Sequence, residues 1–288
     1  MSPYSRMIAG CMSWGHWGKK FSIGEMVSQI HNTLDAGITT FDHADIYGDY
    51  TTEAQFGKAL SKSGVKRESI QIISKCGIQY VGNTRDNRIK HYNYSKDYIL
   101  WSVEKSLLNL QTDYLDLLLL HRPSPLMQKD EIGEAISQLK KEGKVSAFGV
   151  SNFTSSQMDL INGQSGITVN QIEFSLTQHS AMHNGLLDYM TLNGIIPMSW
   201  SPLGTVFKVN CDSTTRIKEV LKVLCEKYNA TEAQLLLAWI LKHPSGIHPV
   251  IGTTNKERIL NAVKAVEIGL DLQDWFTLLV ASQGHKVP

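Results

Sequence analysis

Residues 144–175 read KVSAFGVSNFTSSQMDLINGQSGITVNQIEFS, and three signals inside this stretch set the architecture. Val145–Val150 has the length and apolar content of a strand. Thr154-Ser155-Ser156-Gln157 is a capping box, in which a hydroxyl and an amide side chain satisfy backbone N–H groups that a first helical turn leaves unpaired. Thr168–Glu173 is strand-like again. Strand, helix and strand in that order make one α/β unit.

The same alternation extends in both directions. Further strand-like runs lie at Met7–Ala9, Thr39–Asp42, Ile70–Ser74, Leu115–Leu120, Ile196–Ser199 and Ile247–Ile251, which brings the count to eight. Helix signals fall between them. Ser22-Ile23-Gly24-Glu25 opens a segment with Met26, Ile30 and Leu34 on one stripe, and Thr231–Gln234 and Thr254–Glu257 repeat the capping pattern. Ile99, Val103, Leu107 and Leu110 recur at helical spacing, as do Ile132, Ala135, Ile136 and Leu139. Eight strands with intervening helices fit an open doubly wound sheet or a closed (β/α)8 TIM barrel; closure leaves no unpaired edge, and the barrel is the expectation.

Composition bounds the rest. The chain has 288 residues, 42% hydrophobic and 19% charged, with a net charge of +1. That describes an ordinary globular protein, and with no linker-like tract we expect residues 1–288 to form one barrel domain. Near-neutral charge without a basic run argues against a nucleic-acid partner. The four cysteines, Cys11, Cys76, Cys211 and Cys225, lack metal-binding or redox spacing and read as reduced thiols. No apolar run is long enough to span a bilayer and MSPYSR lacks a signal-peptide core, so the expected location is the cytoplasm, with no membrane partner.

In such a barrel, chemistry gathers at the carboxyl ends of the strands. There the sequence offers Asp42 followed by Tyr47, Lys75, His121, Ser151 with Asn152, Gln171, Trp200 with Ser201, and Gly252-Thr253-Thr254. Asp, Tyr, Lys and His at one rim suggest proton transfer: a phenol beside an ammonium ionises more easily than in water, so Tyr47 is the expected acid, Lys75 its stabiliser, Asp42 the anchor of Lys75, and His121 a hydrogen-bond donor to a carbonyl. Taken singly, each has a bland reading as packing residue, structural ion pair or strand cap; their shared placement favours the catalytic one. His43 alternates to the other face and is expected to be structural. The helix start near Thr254, with Arg258 one turn in, suits phosphate. Ser151, Asn152 and Gln171 suit a carboxamide, and Trp200 offers a flat face. Trp14, Tyr80, Tyr92 and Phe207, with loops Gly77–Tyr94 and Leu203–Asp212, are expected to form apolar pocket walls for small aromatic or dicarbonyl aldehydes.

From about Ser5 to the C-terminus, the sequence resembles the aldo-keto reductase superfamily, and the DHADIYG wording and closing VP look most like a bacterial general-oxidoreductase branch. FDHADIYG, ISKCG and DLLLLHRP are similar to the family's catalytic motifs in family order, FGVSNF and Gln171 to its nicotinamide-amide motif, WSPLG to its stacking and pyrophosphate loop, and IGTTNKERIL to its adenosine-phosphate segment. The resemblance implies a tetrad of Asp42, Tyr47, Lys75 and His121, carbonyl reduction, and NADP(H) held by Ser151, Asn152, Gln171, Trp200, Ser201, Pro202, Leu203, Gly204, Gly252, Thr253, Thr254 and Arg258. It also implies a monomer without a metal. Gly252-Thr253 stands where many members carry Lys-Ser, and Asn261 where many place an acid, so NAD(H) is admitted as well. Little sequence precedes the first strand, so the hairpin that usually plugs the barrel floor is expected to be short or missing. Two rival functions remain: a Schiff-base aldolase using Lys75, and an NADPH-binding sensor or structural protein without turnover. A metal-dependent hydrolase lacks its H-x-H pair.

Overall fold

The computed structural model describes residues 2–288, with 164 and 165 described by backbone alone. Eight parallel strands close into a ring: β1 (Ile8–Gly10), β2 (Thr40–Asp42), β3 (Gln71–Cys76), β4 (Leu115–Leu120), β5 (Val145–Ser151), β6 (Ile167–Glu173), β7 (Ile196–Trp200) and β8 (His248–Ile251). Each pairs with its sequence neighbour, and β8 returns to β1 through Ile8↔Val250 and Ala9↔Ile251. This is the (β/α)8 barrel that the alternation predicts.

The run LDLLLL of β4 shows why these strands lack the polar alternation of a half-exposed sheet. Leu117 and Leu119 point into the ring, where they pack with Ile8, Ile73, Val169, Met198 and Val250. Leu118 and Leu120 point outward to the helical layer. With both faces buried, a parallel strand reads as continuously apolar. Among the described residues, no strand precedes β1; Tyr4 instead joins the interior cluster from below. The Arg6 guanidinium donates to the carbonyls of Leu241, Gly246 and Ile247, tying the chain below β1 to the turn before β8.

Helix starts follow the caps. Ser22, Thr154 and Thr231 each accept the third backbone N–H of α1 (Ile23–Asp35), α5 (Ser155–Ser165) and α8 (Glu232–Leu241), in complete capping boxes. One cap is shifted. The helix after β8, α9 (Lys256–Lys264), is capped by Asn255, whose side chain accepts from Arg258 N, so the expected Thr254 box does not form. The other helices longer than a single turn are α2 (Thr52–Ser63), α3 (Lys96–Leu110), α4 (Lys129–Lys141), α6 (Leu186–Leu192), α7 (Asp212–Tyr228) and α10 (Leu272–Gln283). None of the described helices is long and apolar enough to cross a membrane.

Candidate active site

The polar cluster sits where three strands end. Asp42 closes β2, Lys75 is the penultimate residue of β3, and His121 follows β4 directly. The run of β3 continues two residues beyond its expected end at Ser74, which holds Lys75 inside the sheet and aims it inward, two residues above Ile73. Tyr47 reaches the same spot from the turn after β2.

Lys75 Nζ lies 2.7 Å from Asp42 Oδ1, 2.8 Å from the His43 carbonyl oxygen and 3.2 Å from the Tyr47 hydroxyl. An ammonium has three protons, and all three are engaged. The Tyr47 oxygen therefore accepts from Lys75 and keeps its own proton for another acceptor. Asp42 Oδ1 also accepts from Gln171 Nε2 at 3.0 Å. The imidazole of His121 stands edge-on to Tyr47, with ring centroids 6.1 Å apart, and neither of its nitrogens has a partner among the described residues.

Burial dominates the electrostatics. It lifts the Tyr47 phenol above its ordinary range; the Lys75 charge opposes this without overcoming it, and Asp42 adds to the rise. The easier ionisation expected from a neighbouring ammonium is thus outweighed by desolvation. Burial alone would lower the Lys75 ammonium, but Asp42 and Tyr47 hold it above the ordinary lysine range. His121 titrates well below a free imidazole, first through burial and then through the cations Lys75, Arg122 and Lys90. At neutral pH the site holds a protonated phenol, a charged lysine and a neutral imidazole.

Next to the tetrad lies an amide and hydroxyl shelf. Asn152 sits in the left-handed region at φ 61°, its Nδ2 donating to Ser151 Oγ at 2.8 Å and its Oδ1 accepting from the Trp200 indole at 3.0 Å. Ser151 Oγ donates to the Gln171 carbonyl. The Arg122 guanidinium lies over the Trp200 ring, 5.2 Å from its centre. Below Trp200, the Ser201–Gly204 turn comes so close to the loop after β6 that a side-chain carbon on Gly204 would meet Thr177 Oγ1 at 2.1 Å. Arg258 is exposed on the first turn of α9, near the intermediate Thr253 and Thr254.

The aromatic walls differ from expectation at two positions. Trp14 is not a pocket wall: it is 1% exposed and packs against Phe21, Phe41 and Phe56 in the layer outside the ring. Trp17, three residues on, stands 6.3 Å from Tyr47 and 5.1 Å from Tyr80. Tyr80 and Tyr92 pack against the cluster of Ala44, Ile46, Tyr47 and Ile78. Their segment is more ordered than a loop, because Ile78–Gln79 pairs antiparallel with His91–Tyr92. Phe207 is half exposed and makes no ring contact among the described residues. His43 turns outward, buried edge-on against Phe56 at 4.3 Å. No group of three His, Cys, Asp or Glu among the described residues is arranged to hold a metal.

A closed parallel barrel thus holds an ion-paired lysine, a phenol and an imidazole at its carboxyl rim, and the relatives of this chain make it an oxidoreductase acting on carbonyl or alcohol groups. The chain belongs to the Aldo/keto reductase family, whose model matches residues 6–278. It is 42% identical over 291 residues to the uncharacterized oxidoreductase YcsN of Bacillus subtilis (strain 168), covering 99% of this chain and 96% of that protein. It is 39% identical over 265 residues to a 6-dehydroglucose reductase of Agrobacterium fabrum, covering 90% of this chain and 88% of that one. The crystal structure of the thermostable aldo-keto reductase Tm1743 with the inhibitor epalrestat is similar, with a TM-score of 0.81, 26% identity, and coverage of 96% of this chain and 95% of that one.

Proposed function

We propose that this protein reduces an aldehyde or ketone to an alcohol with NADPH, and that Tyr47 supplies the proton. The observation that carries the reading is the saturation of Lys75 by Asp42, the His43 carbonyl and Tyr47. It fixes the direction of the phenol's proton transfer, and it disfavours a Schiff-base role, for which the lysine would have to be neutral and free to attack. Gln171, Asn152 and Ser151 beside Trp200 fit a nicotinamide carboxamide, while the start of α9 with Arg258 fits an adenosine phosphate. A reduced nicotinamide bound there would supply the hydride. Tyr47 protonates the carbonyl oxygen as negative charge builds on it, and Lys75 stabilises the phenolate left behind. The neutral His121 donates one N–H to that oxygen and orients it. Exposed Arg258 favours the extra phosphate of NADPH; Gly252 and Thr253 add no charge, so weaker NADH binding is part of the proposal.

Titrating the protein with NADPH and NADH while following tryptophan fluorescence tests the cofactor, with tighter binding of NADPH expected. Tyr47→Phe is expected to lower kcat on aldehydes by about 100-fold or more while leaving the NADPH dissociation constant within about twofold. A variant that keeps more than a tenth of the rate removes Tyr47 from the acid role.

A further inference from the structure

Of the seven arginines, five are partly buried. Four of those five donate hydrogen bonds to protein oxygens: Arg6 to backbone carbonyls, Arg67 to Asp116 and Tyr114, Arg85 to Tyr98, and Arg216 to Ala281. Arg122 is the exception. No oxygen among the described residues accepts from its guanidinium, which lies over the face of Trp200. A half-desolvated cation normally has a counter-charge or an acceptor, because leaving its donors unmatched is costly.

The position of Arg122 is also well fixed. Its backbone N–H donates to the Tyr94 hydroxyl at 3.1 Å, and its carbonyl accepts from the same hydroxyl at 2.5 Å. It directly follows His121, so its side chain leaves the barrel rim beside the imidazole that faces the reacting oxygen. Lys90, exposed on the segment bearing Tyr80 and Tyr92, adds its charge to the field at His121. At the same rim the Trp17 ring stands 6.3 Å from Tyr47 and 5.1 Å from Tyr80. The mouth therefore carries a cation as well as aromatic rings, which departs from the apolar pocket that the sequence suggests.

We propose that Arg122 is the receptor for an anionic group on the carbonyl substrate, a carboxylate or phosphate held a few bonds away from the carbon that is reduced. The inference rests on the reductase reading above and names its substrate class: oxo acids and phosphorylated aldehydes or ketones. The guanidinium fork matches either oxyanion with two parallel hydrogen bonds. The chemistry is unchanged, with hydride added to the carbonyl carbon and the Tyr47 proton to its oxygen.

The test compares matched aldehydes at saturating NADPH: 4-carboxybenzaldehyde, its neutral methyl ester, and 4-formylphenyl phosphate. At least a tenfold lower KM for one or both anions than for the ester is expected, and the stronger of the two identifies the oxyanion. Arg122→Met is expected to bring the ratio of anion to ester within twofold, and Arg122→Lys to keep part of it, with melting temperatures confirming that both variants fold. A wild-type ratio within twofold, or an Arg122→Met variant that loses anion and ester alike, overturns the proposal. Benzoate binding to the NADPH-loaded protein separates the two readings. If no aldehyde is reduced, the reductase reading fails, and Arg122 is then judged by whether Arg122→Met weakens benzoate binding at least tenfold.

Discussion

Two buried carboxyls near the rim differ in their partners. Asp42 has a charged lysine and an amide on one oxygen. Asp45, three residues later, has no cation on its oxygens; it receives the hydroxyls of Ser102 at 3.2 Å and Tyr98 at 3.5 Å and the backbone of Ile46, and its Oδ1 has no side-chain partner among the described residues. Burial, and then the neighbouring Glu53, push the Asp45 carboxyl up to about 8. An acid raised in this way binds a proton in the folded state at pH values where the unfolded chain has already released it. Its contribution to stability is therefore greatest at or below the ordinary carboxylate range and declines as pH climbs towards 8. Asp45→Asn keeps an oxygen for Ser102 and removes the titration. Thermal unfolding is expected to show the variant about 2–4 °C more stable at pH 8.5, with the gain shrinking towards pH 4. An equal gain at both pH values would mean that Asp45 is not the titrating group.

At the scale of elements, most of the scaffold was legible because its signals are local. The capping boxes at Ser22, Thr154 and Thr231 need only four consecutive residues, and the apolar runs of β4 and β5 need only their neighbours. The tetrad was legible because a strand end is a position along the chain. What escaped depended on which way a ring turns or on contacts between distant segments. Trp14 and Trp17 lie three apart in one polar turn, and their spacing does not say which one enters the core. The Gln171 bond to Asp42 joins residues 129 apart. Arg122 stood in plain view beside His121, but its lack of a counter-charge is a property of the fold. The connection after β3 offers an element-scale test. Gly77 has φ 111°, and a side-chain carbon there would lie 2.0 Å from the Tyr94 ring. Gly77→Ala should cost about 1–3 kcal/mol by overpacking and, by displacing the hydroxyl that pins Arg122, raise KM as well. Denaturant melts and kinetics on one preparation check both; a destabilised variant with unchanged KM would uncouple Tyr94 from the mouth.

For the whole molecule, the barrel keeps its chemistry and its plug at opposite ends. Tyr4 fills the lower interior against Ile8, Ile73 and Val250, and Arg6 fastens that segment to the turn before β8. Tyr4→Ala is expected to cost about 3 kcal/mol or more in urea unfolding, as large aromatic truncations in cores do, while kcat at 25 °C stays within twofold; a large fall in kcat would show that strain from the floor reaches the rim. The seam of the ring has a further consequence in the cell. Ile8 meets Val250 across nearly the full sequence, so a nascent chain emerging from the ribosome displays β1 and its latest strand as two bare edges until residue 251 is out. Such edges recruit other chains. Synthesis is then the most aggregation-prone period in this protein's life, and its yield should depend more on chaperone supply during translation than on the stability of the finished ring.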